Sequence, residues 1–397
     1  MESPHLQRQK FVRFLVAIAF TGIVAGLFET TFNNYLAEVF GLSAEARGQI
    51  EFPREMPGFL VTLVAGALAS VVLHRAGAIA MFVMAAGLAG MALSAGSLGL
   101  LIFFMVIWST GAHLSMPINQ SITLSLVGKD RQATSLSKMG VATIAGTILG
   151  AGVIATVMRS EWISFRGAYL MAAAFAVGAG VTILSMGRVE RPGRVRRTAF
   201  VFKRRYLLYY LLSALFGVHK QIFMTFGPWV LIRIFSRPAY TFANLWVICS
   251  IAGLFVRPLV GRIIDRWGER ASLFTEGVVL ASVCTAYAVA GAHGESIAAL
   301  YVVLAAYVLD QLSLAISVAR TTYLSKIVEK PEDLPGGLAA GVSIDHAVSM
   351  TGPLVGGLVW MRFGFQYVFL GAAVLALASS AVSLMIRLPA KETTAEP

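Results

Sequence analysis

Ionisable side chains standing inside long apolar runs are the positions where this sequence has chemistry to do. Glu29 belongs to the stripe Gly22, Gly26, Glu29, Asn33, whose steps of four, three and four put all of them on one face of a helix. A second stripe, Thr110, His113, Pro117, Gln120, and a third, Asp310, Ser313, Ser317, Arg320, repeat the pattern further along the chain. Lys220 adds a lone amine with Ser213, Gly217 and Met224 on its face. A carboxylate held in apolar surroundings can load and release a proton, and a buried ammonium attracts a carboxylate or phosphate. Glu29 is the first candidate for proton loading and Asp310 the second; Lys220 is the candidate anion site.

The elements that must position these groups are membrane helices. Hydrophobic residues make up 57% of 397 positions, charged residues 13%, and mean hydropathy is +0.76, where a soluble domain carries about a quarter charged residues. Apolar stretches long enough to cross about 30 Å of hydrocarbon are predicted at 11–36, 52–73, 79–98, 99–127, 133–158, 164–187, 206–234, 240–263, 271–291, 296–325, 337–361 and 365–387. That is an all-α integral membrane protein of about twelve transmembrane helices. The first stretch is too long for a signal-peptide core and reads as a retained helix. Cys249 and Cys284 both lie inside apolar stretches and imply neither a disulfide nor a metal site.

The net charge of +12 follows topology rather than nucleic acid. With both termini in the cytoplasm, the inner side collects residues such as Arg8, Lys10, Arg13, Arg75, Lys129, Arg131, Arg262, Arg266, Arg270, Lys326, Lys330, Arg387 and Lys391. The outer side holds Arg47, Arg54, Arg159, Arg166, Arg233, Arg237 and Arg362, the bias expected of an even number of crossings. A basic run from Arg188 to Arg205 divides the chain into a six-helix bundle over 1–187, a cytoplasmic linker over 188–205 and a second six-helix bundle over 206–397. The run reads as a topology anchor beside anionic lipid.

The halves repeat. At a shift of 191 residues Gly77 falls on Gly268, Arg75 on Arg266, Phe32 on Phe223 and Gly26 on Gly217; at 200, Leu124 and Ser125 fall on Leu324 and Ser325; at 198, Trp162 falls on Trp360. The first register sets Glu29 against Lys220 and the second sets His113 against Ser313 and Gln120 against Arg320. The charged turn from Gly261 through Arg262, Asp265, Arg266 and Gly268 to Arg270 has a degenerate first-half copy, with Ser70 for Gly261 and His74 for Asp265.

That turn resembles the GxLaDRxGRR loop of the major facilitator superfamily of transporters, and the two six-helix halves resemble its architecture. The resemblance implies two pseudo-symmetric bundles related by an axis along the membrane normal, with a substrate near the midplane. It also implies that the first, fourth, seventh and tenth helices line the cavity, so that Glu29, Asn33, His113, Lys220 and Asp310 face it, with Glu29 across the axis from Lys220. Asp265 and Arg266 would latch the inner side with Arg262 and Arg270, and Asp265→Asn is expected to impair transport more than His74→Asn.

Further positions are expected to gate. Glu51, Arg54 and Glu55 open the second stretch between prolines and are candidates for an outer gate or a solvated helix start. Lys138 and Asp345 are candidates for an inner gate across the halves, with His346 beside Asp345. Arg320 is read as snorkelling to the inner interface. The run Gly352-Pro353-Leu-Val-Gly356-Gly357 looks like a motif that antiporters of the superfamily carry in their fifth helix, but here it lies in the eleventh and reads as helix packing.

The chain is therefore expected to be a secondary transporter of a small organic anion or zwitterion, working by alternating access with protons as the coupling ion. No phosphate-cradling loop appears in the sequence, so the energy must come from a gradient and no cofactor is implied. The expected setting is the bilayer of a bacterial inner membrane, with a small-molecule substrate, no nucleic-acid partner, and function as a monomer. The alternatives are a proton-driven exporter of lipophilic cations or drugs and, more remotely, a receptor or retinal-binding protein using Lys220.

Overall fold

The computed structural model describes residues 4–60, 71–94, 96–127, 131–189, 201–294, 296–330 and 333–387. Ser70, Lys129, Lys391 and most of the basic run, including Arg191, Arg194, Arg196 and Arg197, lie outside the described residues. All regular structure among the described residues is helical. In chain order the helices are α1 (Pro4–Glu29), α2 (Ala44–Phe59), α3 (Leu73–Leu93), α4 (Leu98–Ser125), α5 (Gln132–Val153) and α6 (Phe165–Leu184). They continue with α7 (Leu207–Arg233), α8 (Ala239–Gly291), α9 (Ile297–Ser313), α10 (Val318–Ile327), α11 (Asp333–Phe363) and α12 (Phe365–Ser383).

Nine segments among the described residues are long and apolar enough to cross a membrane, with α9 and α10 forming one of them. At 53 residues, α8 is about 80 Å long, enough for two crossings, and it breaks at Gly268 with φ 78° and ψ 169°. That backbone conformation suits glycine alone, so the charged turn predicted between two segments is a sharp corner within one nearly continuous helical run. Large apolar side chains such as Phe255, Ile297 and Val374 stand exposed, as expected where the solvent is lipid.

Local chemistry sets the helix limits that matter for the buried charges. Thr30 and Thr31 turn their hydroxyls back onto the carbonyls of Gly26 and Leu27, at 2.6 and 2.7 Å, and such back-bonding bends helices. The chain then resumes as a short helical turn at Phe32–Asn34 and a π-helical turn at Tyr35–Val39, which carries Asn33 past the end of α1. Ser43 caps α2 by accepting from the Ala46 amide at 3.2 Å. The second helix thus starts at Ala44, eight residues ahead of the predicted start at 52. Arg47, Glu51, Arg54 and Glu55 all fall inside it.

The described chain forms two compact units, one of residues 1–197 with 228–251 and the other of residues 198–227 with 252–397. In the first, α1 packs on α5 and α6, α3 on α4 and α6, and α2 on α4. The α1–α5 contact is made of backbone: a Cβ on Gly22 would lie 2.3 Å from the Thr143 carbonyl oxygen, and one on Gly146 would lie 2.0 Å from that of Ala19. Two of the four residues of the Glu29 stripe therefore serve helix packing rather than a cavity, which is the use small residues find in membranes. In the second unit α10 packs on α11 and α11 on α12. There a core of Tyr206, Tyr209, Tyr210, Leu212, Ile264, Leu273, Tyr323 and Leu324 gathers the start of α7, the corner of α8 around Gly268 and the end of α10.

Candidate functional site

In the first unit, α2 supplies a buried charge cluster. Arg47, Glu51, Arg54 and Glu55 stand at steps of four, three and one along the helix, on one face, and all are buried. Glu51 bridges two guanidiniums: one oxygen accepts from Arg47 and the other from Arg54 Nε at 2.6 Å. Arg54 also holds Glu55 at 2.7 Å, and Arg47 Nε donates to Asn33 Oδ1 at 2.9 Å. These groups are not a solvated helix start. Charge this deep persists in apolar surroundings because each member is paired.

Two residues from other helices complete the cluster. Ser109 on α4 donates to the Arg54 carbonyl at 2.5 Å and stands 3.1 Å from His113 Nδ1. The same ring nitrogen lies 2.9 Å from the Ser109 carbonyl, an oxygen that can only accept, so Nδ1 carries a proton and Nε2 is the basic atom of the neutral ring. A His113 ring nitrogen and a Glu55 oxygen come within 4.8 Å of each other. Glu29, at the end of α1, feels the charges of Arg54, Glu51, Glu55 and Arg47. Glu29, Glu51 and Glu55 thus share the surroundings of Arg47, Arg54 and His113.

Among the ion pairs of the second unit, three involve Lys220, Asp310 and Arg320. Lys220 on α7 bonds Asp345 on α11, with each side chain 20% exposed. Asp310 on α9 accepts from His219 Nε2 at 3.2 Å, with both side chains 2% exposed. Arg320 on α10 grips Glu276 on α8 through both terminal nitrogens, at 2.5 and 3.2 Å, while its guanidinium sits 3.6 Å from the centroid of the Phe216 ring. A bidentate, stacked guanidinium is among the stronger pairings available to a buried charge.

These contacts revise several sequence expectations. Lys220 is held by Asp345, which lies within α11, and Asp310 is held by His219 rather than by Lys220. Arg320 does not snorkel, being 5% exposed. Lys138 is exposed on α5 and makes no ion pair among the described residues. In the charged turn, Arg262, Asp265, Arg266 and Arg270 are all exposed. The group held there is Glu269, fully buried and paired with Lys326 at the end of α10.

Sequence reasoning missed His219, Glu276, Arg47 and Glu269. The first two satisfy the criterion that found Glu29, an ionisable residue inside an apolar stretch, and were legible on that ground. Arg47 was hidden by the misplaced start of the second helix. Glu269 was hidden by its neighbours in the motif.

Comparison with known proteins follows the same lines. The family model described as Major Facilitator Superfamily matches residues 14–327. No curated protein matches the sequence. The fold is similar to a crystal structure of the nucleoside transporter NupG, with a TM-score of 0.79 at 14% identity over 94% of this chain and 98% of that one. It is similar to a bacterial homologue of the human lysosomal transporter Spinster in an inward-facing, unoccupied conformation, with a TM-score of 0.75 at 13% identity over 97% and 98%. A D-xylose–proton symporter gives 0.70 at 14% identity over 98% of each chain.

Proposed function

We propose a substrate and a coupling ion for a chain that belongs to the major facilitator superfamily: a small organic anion or zwitterion, moved with protons by alternating access. The chain is a transporter, not an enzyme, and the receptor and retinal-binding alternatives fall with that assignment. The observation that carries the finer reading is the Lys220–Asp345 pair. Its side chains are each 20% exposed, whereas His219–Asp310 and Arg320–Glu276 are at 6% or below. Of the three pairs it alone is open enough to exchange one partner for an incoming ligand.

Exchange supplies the coupling. While Asp345 is ionised it occupies the ammonium of Lys220. A proton added to Asp345 cancels that attraction and leaves Lys220 to a substrate carboxylate or phosphate, so anion and proton bind together with little net charge moved into the membrane. Asp345 takes the role toward Lys220 that sequence symmetry assigned to Glu29. Glu29 and His113 belong to the first-unit cluster, whose carboxylates and imidazole are a second place to hold a proton. Function as a monomer, in an inner membrane with both termini cytoplasmic, completes the reading.

The test begins with thermal-shift screening of the purified protein against organic anions at two pH values, since a ligand of the native state stabilises it by mass action. The hits then go to uptake by proteoliposomes under an imposed pH gradient. Accumulation that follows the gradient and is lost in Lys220→Ala supports the reading. Equal uptake with and without the gradient, or an unaffected Lys220→Ala, removes it.

A second reading has its own support. The carboxylates Glu29, Glu51 and Glu55, with the rings of Phe28 and Trp108 stacked at 3.8 Å beside Glu29 and Ser109 in the chain, suit a lipophilic cation, and proton-driven extrusion of a cationic dye from the same vesicles would favour it.

A further inference from the structure

We propose that Cys284, His219 and Asp310 form a proton-storing site in the second unit, separate from the Lys220–Asp345 pair and resting on the reading of this chain as proton-coupled. The three groups lie in a row across three helices. Cys284 Sγ on α8 stands 3.9 Å from His219 Nδ1 on α7, and His219 Nε2 stands 3.2 Å from Asp310 Oδ1 on α9. Their exposures are 0%, 2% and 2%. Gln311 Nε2 donates to the other Asp310 oxygen at 3.4 Å. Glu276 on α8 acts on Asp310, and the Tyr287 hydroxyl on α8 feels Asp310, Cys284 and Tyr307 of α9. On α7 itself the neighbouring Lys220 is turned to Asp345.

Both ring nitrogens keep a partner in two protonation states. In the empty state the neutral ring donates Nε2–H to the Asp310 carboxylate and its Nδ1 lone pair accepts the Cys284 S–H. In the loaded state one proton has been added to Nδ1, which now donates to Sγ, while the thiol hydrogen rotates away and the Nε2–H bond stays in place. The only bond formed is N–H, and the net charge of the row rises from minus one to zero.

A thiol is the group that permits this, because it donates and accepts, both weakly. An alkyl side chain would leave Nδ1 without a partner in each state, and a carboxylate there would hold the imidazolium permanently. Buried polar groups are costly when unbonded, and here neither ring nitrogen is left without a partner in either state.

The test uses the S–H stretching band of Cys284, which falls in a spectral window free of other protein absorption. The sequence holds two cysteines, so Cys249→Ser leaves Cys284 as the sole thiol. Infrared spectra of this purified protein are recorded from about pH 5 to about pH 10, a span that brackets ordinary histidine. The expected result is a shift of the band as S–H changes from donor to free thiol, lost when His219→Gln is added. A band fixed at every pH, or a shift that persists in His219→Gln, would overturn the site. Should His219→Gln fail to fold, Asp310→Asn replaces it, and a band moving at the same pH as in Cys249→Ser alone overturns the site. Proton-driven uptake is read on the same Cys249→Ser protein. Uptake with a fixed band removes this site and leaves proton coupling intact, whereas a moving band with no proton-driven uptake supports the site and removes the coupling reading.

Discussion

Asp345 reaches Lys220 across the gap left by Gly217. A Cβ on Gly217 would lie 2.5 Å from Asp345 Oδ1 and 2.7 Å from Val348 Cγ2, so α7 and α11 approach closely enough for the pair only because that position has no side chain. Gly217→Val is therefore expected to push Asp345 off Lys220 without touching either charge. It should reproduce the transport loss of Lys220→Ala, a fall of about tenfold or more in initial uptake rate, equivalent to about 1.4 kcal/mol. Gly371→Val, at a position with open space around the site of a Cβ, is the control. Uptake by Gly217→Val within about twofold of the wild-type rate would contradict this account.

Glu51 is the joint of the first-unit cluster, since it touches both Arg47 and Arg54. Glu51→Gln keeps the shape and removes the charge, leaving Arg47 buried against Asn33 and the Phe32 ring. Breaking a buried pair costs about 3 to 5 kcal/mol. A large fall in melting temperature in detergent is expected, against a change of about 0.5 kcal/mol or less for Glu45→Gln, at a residue that accepts from Gln49 on the surface.

The layout and the family were legible in composition, segment spacing and the charged turn, because lipid demands long apolar helices and leaves a coarse record of each crossing. Pairing partners were not. Neighbouring residues on a helix point about 100° apart, so His219 and Lys220 face different helices, and a register derived from the repeat does not say which of Glu29, Asp310 or Asp345 each one meets. The stripe rule failed in a related way at Gly22 and Gly26, which share a helical face with Glu29 by spacing but meet the α5 backbone. One helical face is wide enough to pack a neighbour along one edge and present a charge along the other.

The α1–α5 seam makes a prediction of its own. Gly146→Ala drives a methyl to within 2.0 Å of the Ala19 carbonyl oxygen, and backbone cannot step aside as a flexible side chain does. Overpacking of this kind costs about 1 to 3 kcal/mol. Gly152→Ala, on the same helix with nothing within 4 Å, is expected to leave the melting temperature nearly unchanged, and equal effects of the two substitutions would show that the helices are not in close contact.

The charged turn gives a result opposite to the one its motif suggests. Asp265 is exposed and makes no ion pair among the described residues, whereas Glu269 is fully buried and paired with Lys326. Glu269→Gln is expected to lower uptake and melting temperature more than Asp265→Asn does. If Asp265→Asn proves the more damaging in both measurements, the motif's acidic residue acts in a conformation other than this one.

The entry to α7 is tied to the start of α11 by a clasp that titrates. Lys203 donates to Asp333 at 2.6 Å and to Glu329 at 3.2 Å, and the Tyr206 hydroxyl donates to the same Asp333 oxygen at 2.8 Å. The hydrogen bonds from Lys203 and Tyr206 hold the Asp333 carboxyl below the usual carboxylate range, and the bonds to Asp333 and then Glu329 hold the Lys203 ammonium above the usual lysine value. A lowered carboxyl stabilises the fold fully above its unfolded value and loses that contribution as pH falls through its folded value. A raised ammonium stabilises it below the unfolded lysine value and loses the contribution as pH rises through the folded one. Between those limits the clasp is closed and indifferent to pH. Asp333→Asn should therefore lower the melting temperature slightly and uniformly at neutral pH, the pair being close to solvent and screened by salt. It should also flatten the acid limb of a melting-temperature profile relative to the unmodified chain. An acid limb of unchanged depth in Asp333→Asn would assign the acid sensitivity to other carboxylates and leave the clasp without a measurable share.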